Sequence, residues 1–568
     1  MTIAGVTLPG ASGLHTVTVG GPDPLNLANI IGNFLANAPS GSTVSEVTST
    51  VSGGLSTITG TNGSGSTINE VVLQGGATVN ASIPGGINYL VAAGSTAPTL
   101  TGSNVAIVSG TAGGSFNVTG NSTVAATGGN NTIMASGNFA ISANGTNDIV
   151  VAGSGTVATG NGTSTVVSSS GNTNIISGGT HDVVAVVIGN SSVTAAGGNG
   201  TVIGGLGTLT ANVTGSNNLI LAGLAQTNVT VGGGASGTYV AGSGAPGSSV
   251  SFQDGGDHSI LNALSSSVNV TTSGTNAFIQ GGSPGQTLTI VDTGTNNIFN
   301  ALGGNEVATL SGSGAYLQGG ASGPQMTVLD LGSNDTVNAL ASGMAVTAGG
   351  SSSGLYVNGG GGPLSFVGGA NASTIYGSSV SSTVTAGAGG VLFVANGTAN
   401  VASGVNGSTS TIFGSSNSAV TFNGSGNLDY SAGAGNVTLN AAAATGNANV
   451  YLPGSSTLAG SGADLITTGS GADTLTVGFG SDTLNAGSGS NLYLFVAGHT
   501  AGAIDYVTDS VANIANDTFS FNNYGAAPTE AVTGGQVTLT LSDNTKVVFT
   551  NLTSTSQLTG HINIYNAG

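Results

Sequence analysis

Residues 289–302 read TIVDTGTNNIFNAL, and the same pattern stands at 251–264 as SFQDGGDHSILNAL and at 327–340 as TVLDLGSNDTVNAL. The three copies align without gaps and lie 38 residues apart. A fixed period is typical of repeat architectures, in which stacked units bury one continuous core. Four strand-plus-turn units fit in each period, so two units would form one coil of about 19 residues. We therefore predict an all-β fold dominated by a long parallel β-solenoid.

The composition of the 568-residue chain supports this prediction. Glycine contributes 103 residues, and aromatic and charged residues make up only 5% and 4%. A helical fold is disfavoured, because each interior glycine costs a helix about 1 kcal/mol relative to alanine. Disorder is disfavoured because the chain is 38% hydrophobic, with valine, isoleucine and leucine recurring between polar turns. A string of small β-sandwiches is the alternative fold, and the gapless repeat argues against it.

The charge balance excludes several classes of function. The chain has 20 acidic residues, no arginine and a single lysine, Lys546, for a net charge of −19. Nucleic acid and anionic membranes are therefore not expected partners. An enzyme that acts on acidic polysaccharides is disfavoured, because it needs a cationic group near the substrate carboxylate. The motif matches GGGASG at 232–237 and GSSSG at 350–354 carry no weight, because neither precedes a predicted helix. We expect no enzyme activity.

Changes in composition and in the spacing of apolar residues divide the chain into segments. Apolar residues at helical spacing predict a helix within 23–40, which either covers the end of the solenoid or contacts another molecule. Two alternating strands around an Asp-Asn turn predict a hairpin at 536–552. Asparagine recurs before apolar strand residues, where it forms stacked amide ladders or, as we favour, left-handed turns. The predicted segments are an N-terminal cap (1–45), the solenoid (46–459), a short β-roll (460–499) and a C-terminal β module (500–568).

The β-roll segment holds four blocks of nine residues in phase at 460–495: GSGADLITT, GSGADTLTV, GFGSDTLNA and GSGSNLYLF. With two blocks per coil, Asp464 would lie one coil below Asp482, and Asp473 one coil below Asn491, about 4.8 Å apart. Carboxylates at that distance repel unless a cation lies between them, and glycine-rich turns expose the carbonyl oxygens that Ca²⁺ also takes. Glycine and aspartate turns without a metal are the alternative. The predicted ligand set is Gly460, Gly462, Asp464, Gly469, Gly471, Asp473, Gly478, Gly480, Asp482, Gly487, Gly489 and Asn491.

These blocks resemble the repeats-in-toxin (RTX) family, whose calcium-binding nonapeptide is G-G-x-G-x-D-x-U-x. The resemblance covers 36 residues, and the first glycine of the doublet is replaced in every block. Asn491 replaces the aspartate of the last block, so the site at Asp473 and Asn491 should be the weaker one. The resemblance implies Ca²⁺ as cofactor, an extracellular location, and export by a type I secretion system through an uncleaved C-terminal signal. The N-terminus, which lacks a secretory signal pattern, and the distinct C-terminal module agree with that expectation.

The function we expect is that of a secreted structural protein. It would assemble with copies of itself, in the presence of calcium, into an extracellular fibre, a surface layer or a biofilm matrix. RTX-bearing surface-layer and matrix proteins are similar in being rich in small residues and nearly free of lysine and arginine. A monomeric, calcium-stabilised adhesin that binds cell-surface polysaccharide is the alternative. No stretch of about 18 apolar residues predicts a membrane span.

Overall fold

The computed structural model describes residues 97–566, except 111, 246, 265, 282–283, 322–324, 453–461 and 499–500, and the backbone of six strands before residue 97. The helix predicted within 23–40 lies outside the described residues. The chain divides into two compact units, Met1–Gly282 and Ser283–Gly568. Each unit is dominated by parallel β-solenoid pairing, which confirms the predicted fold class.

The first unit consists of strands that alternate with tight turns. Its described strands are β1 (Thr2–Gly10), β2 (Gly13–Gly21), β3 (Ile58–Thr61), β4 (Thr67–Gln74), β5 (Asn80–Ser82), β6 (Ile87–Ala93), β7 (Thr99–Ser103), β8 (Ala106–Ser109), β9 (Ser115–Thr119), β10 (Ser122–Ala126), β11 (Thr132–Ala143), β12 (Asp148–Thr159), β13 (Ser164–Ser168), β14 (Thr173–Ser177), β15 (Val183–Val186), β16 (Ser191–Ala195), β17 (Thr201–Ile203), β18 (Leu209–Val213), β19 (Leu219–Leu221), β20 (Gln226–Val231), β21 (Tyr239–Ala241), β22 (Ser249–Asp254), β23 (Ile260–Asn262), β24 (Ser267–Thr272) and β25 (Phe278–Gln280). β1 pairs with β2, and β3 with β4, in antiparallel register. From β13 to β23, each strand pairs in parallel with the strand two positions later, so the chain climbs along two parallel ladders.

The second unit has the same organisation. Its described elements are β26 (Thr287–Asp292), β27 (Ile298–Asn300), β28 (Asn305–Leu310), β29 (Tyr316–Gln318), β30 (Gln325–Asp330), β31 (Thr336–Asn338), β32 (Gly343–Ala348), β33 (Tyr356–Asn358), β34 (Leu364–Val367), β35 (Ser373–Tyr376), β36 (Ser381–Thr385), β37 (Val391–Ala395), β38 (Ala399–Gly404), β39 (Thr409–Gly414), β40 (Ala419–Gly424), β41 (Asn427–Ser431), β42 (Thr438–Asn440), β43 (Ala448–Tyr451), β44 (Leu465–Thr467), β45 (Thr474–Thr476), β46 (Thr483–Asn485), β47 (Leu492–Val496), β48 (Ile504–Val507), α1 (Val511–Ile514), β49 (Thr518–Asn522), β50 (Thr529–Thr533), β51 (Gln536–Thr540), β52 (Lys546–Phe549), a 3₁₀ turn (Thr555–Leu558) and β53 (Ile562–Tyr565). Parallel pairing with the strand two positions later runs from β26 to β47.

Successive coils of the solenoid are roughly 18 residues apart. Within the repeat that opened the sequence analysis, Asn300 lies opposite Gln318, and Gln318 lies opposite Asn338. The chain uses fewer residues from Asn300 to Gln318 than from Gln318 to Asn338. Each long repeat is therefore two coils of unequal length, whose average is the predicted value. In the nonapeptide segment Ile466 lies opposite Leu484, so the coil there has the shorter length.

In each unit, one of the two ladders contributes to the core a stack of inward-facing apolar side chains. Alternate residues of a strand point to opposite faces, so the middle residue of a three-residue strand is buried while its neighbours face outward. The stack in the first unit is Val150, Val166, Val184, Val202, Ile220, Val240, Leu261 and Ile279. The stack in the second unit contains Phe299, Leu317, Val337, Val357, Ile375, Phe393, Ile412, Tyr430, Val450, Leu475, Tyr493 and Phe519.

Asparagines in left-handed backbone conformation make many of the turns before short strands. Asn147, Asn217 and Asn296 have φ values of 59°, 58° and 56°, a region that asparagine enters more readily than most residues. The turn interpretation is therefore confirmed for these positions. Some amides also stack, since Asn147 Nδ2 donates to Asn130 Oδ1 at 3.4 Å.

The C-terminal residues extend the solenoid of the second unit before they form a hairpin. β48 pairs with β46 and β49 pairs with β47, so both strands continue the ladders of the nonapeptide segment. β51 and β52 pair in antiparallel register, which confirms the hairpin predicted at 536–552. Among the described residues, none of the helices has the length and apolar character of a membrane span.

Candidate calcium site

The strands of the nonapeptide segment pair as their phase predicts. Leu465 of β44 lies opposite Thr483 of β46, and Thr474 of β45 lies opposite Leu492 of β47. The residues just before these strands are therefore stacked, Asp464 against Asp482 and Asp473 against Asn491. The predicted stacking is confirmed by this register.

Two columns of polar side chains result from the stacking. The first column is Asp464, Asp482 and Asp505, and the second column is Asp473, Asn491 and Asp517. In each column, a side-chain oxygen accepts the backbone amide of the residue one coil earlier. The amide of Asp464 donates to Oδ1 of Asp482 at 3.0 Å, and the amide of Asp473 donates to Oδ1 of Asn491 at 2.9 Å. The columns begin at Val437 and Ala448, whose amides donate to Oδ1 of Asp464 and Asp473 at 2.8 and 2.7 Å.

The glycines of the predicted ligand set lie in the turns between these strands. Gly460 lies outside the described residues, and the described members are Gly462, Gly469, Gly471, Gly478, Gly480, Gly487 and Gly489. Successive turns stack so closely that a Cβ on Gly487 would lie 2.1 Å from the carbonyl oxygen of Gly469. A Cβ on Gly489 would lie 2.0 Å from the carbonyl oxygen of Gly471, and its φ of +135° is one that other residues rarely adopt. At Gly487 and Gly489 glycine is therefore required by the stacking, which brings a backbone carbonyl oxygen of each turn against the turn above it.

The carboxylates of both columns are buried, and this changes their acidity. Asp464, Asp473 and Asp482 are at most 5% exposed. Burial disfavours the charged form, which raises the pKa of Asp482 to about 8 and that of Asp464 to about 6. Burial also raises the pKa of Asp473. Amide donors partly offset the effect, whereas the charges of Asp464 and Asp505 add to it at Asp482.

Each column leaves carboxylate oxygens without a hydrogen bond. The Oδ2 atoms of Asp482, Asp505 and Asp517 are buried and have no hydrogen-bond partner. A buried charge without a partner is strongly unfavourable in a protein, and a hard cation is a suitable partner for a carboxylate oxygen. The described residues do not bring three or more Asp, Glu, His or Cys side chains together as a metal cluster. Calcium bound here would take one or two carboxylates from a column and complete its ligands with turn carbonyls and water.

The segment also matches a known family model. Residues 458–493 match the model of the RTX calcium-binding nonapeptide repeat, in four copies. Over these residues the chain is similar to the RTX calcium-binding repeat. The RTX repeat family binds Ca²⁺, and the four copies together with the parallel β-solenoid fit an RTX repeat protein. Neither the curated proteins nor the solved structures gave a match to the chain. The role of each glycine and aspartate as a ligand stays a prediction.

Sequence reasoning missed the last member of each column. Asp505 precedes Tyr506 and Val507, and Asp517 opens the run Asp-Thr-Phe, which is close to the Asp-Thr-Leu of Asp473 and Asp482. That short run was the available signal. It was hidden because the nine-residue phase ends at Phe495 and inserted residues, α1 among them, separate the later strands.

Asp509 is a further buried carboxylate near the columns, and its environment differs from theirs. Its Oδ2 accepts the amide of Ala486 at 2.8 Å and the hydroxyl of Tyr493, and its Oδ1 accepts the amide of Gly487 at 3.2 Å. Both oxygens are thus used by protein donors. We assign Asp509 to the packing of the Ala486–Gly487 turn rather than to a metal.

Proposed function

We propose that the protein is an extracellular, non-catalytic structural protein that assembles with copies of itself when its RTX repeats bind Ca²⁺. RTX repeat proteins are typically secreted, which supports the location. The proposal of self-assembly rests on the last strand of the second unit, β53. Among the described strands, β53 pairs only with β49, so its second edge presents unpaired backbone groups. Open strand edges are templates for pairing with another chain.

Exposed apolar side chains accompany this open edge. Ile564 and Tyr565 of β53 are 41% and 68% exposed, and Val532 on strand β50 of the same unit is 52% exposed. A second copy that paired with β53 would cover Ile564 and Tyr565 and satisfy the backbone groups. This region therefore supports self-assembly better than it supports an isolated monomer.

The calcium columns lie directly beneath the open edge, which supports calcium dependence. β53 pairs with β49, and β49 pairs with β47, the last strand of the RTX segment. Phe519 of β49 stacks on Tyr493 of β47 with ring centroids 4.8 Å apart. Without a cation, the buried carboxylates of these coils repel one another and weaken the support under β53. Calcium would order the last coils and also reduce repulsion between subunits of net charge −19.

The test is the mass of the full-length protein by light scattering, with millimolar Ca²⁺ and after chelation, followed by electron microscopy. We expect polymers with Ca²⁺ that dissociate after chelation. The double variant Ile564→Lys with Tyr565→Lys should stay monomeric, because charge on an edge strand opposes pairing. Leu206→Lys is the matched control, since Leu206 is a 60% exposed apolar residue of the first unit. A wild-type monomer at high protein concentration with Ca²⁺ contradicts the proposal.

A glycan-binding adhesin is the second candidate, and one feature of the second unit favours it. Tyr356 and Tyr376 are 36% and 40% exposed, and their ring centroids lie 5.5 Å apart on one outer face. Asn358 lies opposite Tyr376 in the same ladder and adds an amide. Aromatic rings beside amides offer both apolar contact and hydrogen bonds to an uncharged sugar. A monomer whose binding to polysaccharide is lost in Tyr356→Ala with Tyr376→Ala would favour the adhesin.

A further inference from the structure

We propose that calcium binding extends past the four recognised repeats to Asp505 and Asp517, which bind Ca²⁺ with Asp482 and Asn491 and with turn carbonyls. Both residues lie outside the segment 458–493 that matches the repeat model. The inference rests on the calcium binding that the proposed function assumes, but not on self-assembly.

Asp505 repeats the geometry of the aspartate below it. Thr483 of β46 lies opposite Tyr506 of β48, so Asp505 stands one coil above Asp482. The amide of Asp482 donates to Oδ1 of Asp505 at 3.1 Å, just as the amide of Asp464 donates to Oδ1 of Asp482 at 3.0 Å. The step from Asp482 to Asp505 is therefore structurally equivalent to the step between two recognised repeats.

Asp517 supplies the carboxylate that the second column lacks at Asn491. Leu492 of β47 lies opposite Thr518 of β49, which places Asp517 one coil above Asn491. Oδ1 of Asp517 accepts the backbone amide of Asn491 at 3.1 Å and its side-chain amide at 2.9 Å. The amide oxygen of Asn491 and the carboxylate of Asp517 thus lie in consecutive coils. Asp517 compensates for the asparagine that makes the fourth repeat depart from the family pattern.

The second oxygen of each carboxylate has no partner from the protein. Asp505 is 0% exposed and Asp517 is 1% exposed, and the Oδ2 atom of each is buried without a hydrogen bond. In the described part of the chain, the ion pair that forms is between His258 and Asp257. No lysine or arginine is paired with Asp505 or Asp517 there. His561 approaches Asp517 through its ring nitrogen, which lies 2.9 Å from the backbone oxygen of Asp517. Each Oδ2 is therefore left for a cation.

Calorimetric titration of the full-length protein with Ca²⁺ tests the inference. Asp505→Asn and Asp517→Asn keep an oxygen that can accept the amide below, but they remove the charge. We expect each variant to lose one Ca²⁺ equivalent relative to the wild type. Asp429→Asn is the matched control, because it makes the same charge change on β41 of the same unit, outside both columns. The control should keep the full number of sites.

Hydrogen exchange of the wild-type protein gives a second measurement that needs no variant. Ca²⁺ should increase the protection of residues 504–522 together with that of residues 462–496. If either variant fails to fold, this comparison decides the question. Unchanged protection of residues 504–522, or an unchanged number of sites in both folded variants, overturns the inference and leaves calcium binding by the repeats intact. A wild type that binds no Ca²⁺ overturns the proposed function as well.

Discussion

Asp182 in the first unit and Asp482 in the second stand at the same position, just before a strand, and they differ in one oxygen. Oδ1 of each accepts an amide from the preceding coil, at 2.7 Å for Asp182 and 3.0 Å for Asp482. Oδ2 of Asp182 accepts two hydroxyls at 2.7 Å and the amide of Gly179 at 3.1 Å. Oδ2 of Asp482 has no hydrogen bond. The position is therefore structural in both units, and these two aspartates differ in whether the protein itself pairs the second oxygen.

The sequence explains this difference by the residue five positions before each aspartate. Ser177 precedes Asp182 there and donates one of the two hydroxyls. Val477 stands at the equivalent place before Asp482, and its side chain has no hydrogen-bond donor. Asp148 is also fully satisfied, because Oδ1 accepts both amides of Asn131 and Oδ2 accepts the amide of Gly145 at 3.2 Å. A solenoid can thus use buried aspartate without a metal wherever it supplies polar neighbours.

The largest expected effect is a difference in calcium response between Asp182→Asn and Asp482→Asn. Asp182→Asn replaces an acceptor oxygen by an amide, so at least one buried donor loses its partner, which costs about 1–3 kcal/mol with or without Ca²⁺. Asp482→Asn keeps the acceptor for Asp464 and removes a carboxyl group whose charged form is unfavourable without a cation. It should therefore not destabilise the calcium-free protein, but it should lose the stabilisation that a bound ion gives, about 2.7 kcal/mol per site at 100 times Kd.

Thermal unfolding followed by circular dichroism, with saturating Ca²⁺ and with chelator, checks these expectations. The wild type in both conditions is the reference. Equal destabilisation of the two variants in the absence of Ca²⁺ would break the comparison, because Asp482 would then be as structural as Asp182. The comparison would also fail if the destabilisation caused by Asp182→Asn changed with Ca²⁺, because Asp182 would then respond to the ion.

A smaller effect is expected from Asp335, which stands at the same position in the second unit but outside the RTX segment. Its Oδ1 accepts the amide of Ala315 at 2.7 Å. Burial, the neighbouring Asp330 and the charge of Asp292 raise the pKa of Asp335 to about 8. The unfolded value is near 3.8, so the folded state holds a proton over the range between the two values.

Stability conferred by this proton is present in full below about pH 4 and is lost as the pH rises through about 8. We expect the melting temperature of the wild type to fall between pH 5 and 9 at saturating Ca²⁺, and Asp335→Asn to reduce that fall. Thermal scans of both proteins across this range provide the measurement. An identical pH dependence in the variant would show that Asp335 is not the group that titrates.

Much of the fold could be predicted from the sequence, because the long repeat and the nine-residue phase each constrain how the coils stack. The long gapless repeat predicted stacked coils, and the nine-residue phase predicted the stacking of Asp464 on Asp482, which the register confirms. The alternation of shorter and longer coils could not be predicted, because turn length varies without changing the strand pattern. Asp505 and Asp517 were missed because inserted residues break the phase while the ladder continues through space.

The turns before the aspartates give the smallest expected effect, and they also differ between the two regions. Asn147 and Asn334, directly before Asp148 and Asp335, have φ values of 59° and 58°. At two of the four turns of the RTX segment the positive φ lies one residue earlier, at Gly480 and Gly489, with values of 120° and 135°. Asparagine can occupy the first kind of turn, whereas the second lies outside the left-handed region that asparagine tolerates.

Asn147→Ala should therefore destabilise the protein by about 1 kcal/mol, the order of the penalty for a left-handed alanine, whereas Asn147→Gly should be close to neutral. Neither variant should change calcium binding, since the turn of Asp148 holds its carboxylate by protein hydrogen bonds alone. Thermal unfolding and calcium titration of the two variants measure both expectations. Calcium binding by Asn147→Ala that differs from that of the wild type would mean that the first unit also holds the ion. The backbone conformation of the turn, rather than the pairing of the second carboxylate oxygen, would then decide whether an aspartate binds the ion.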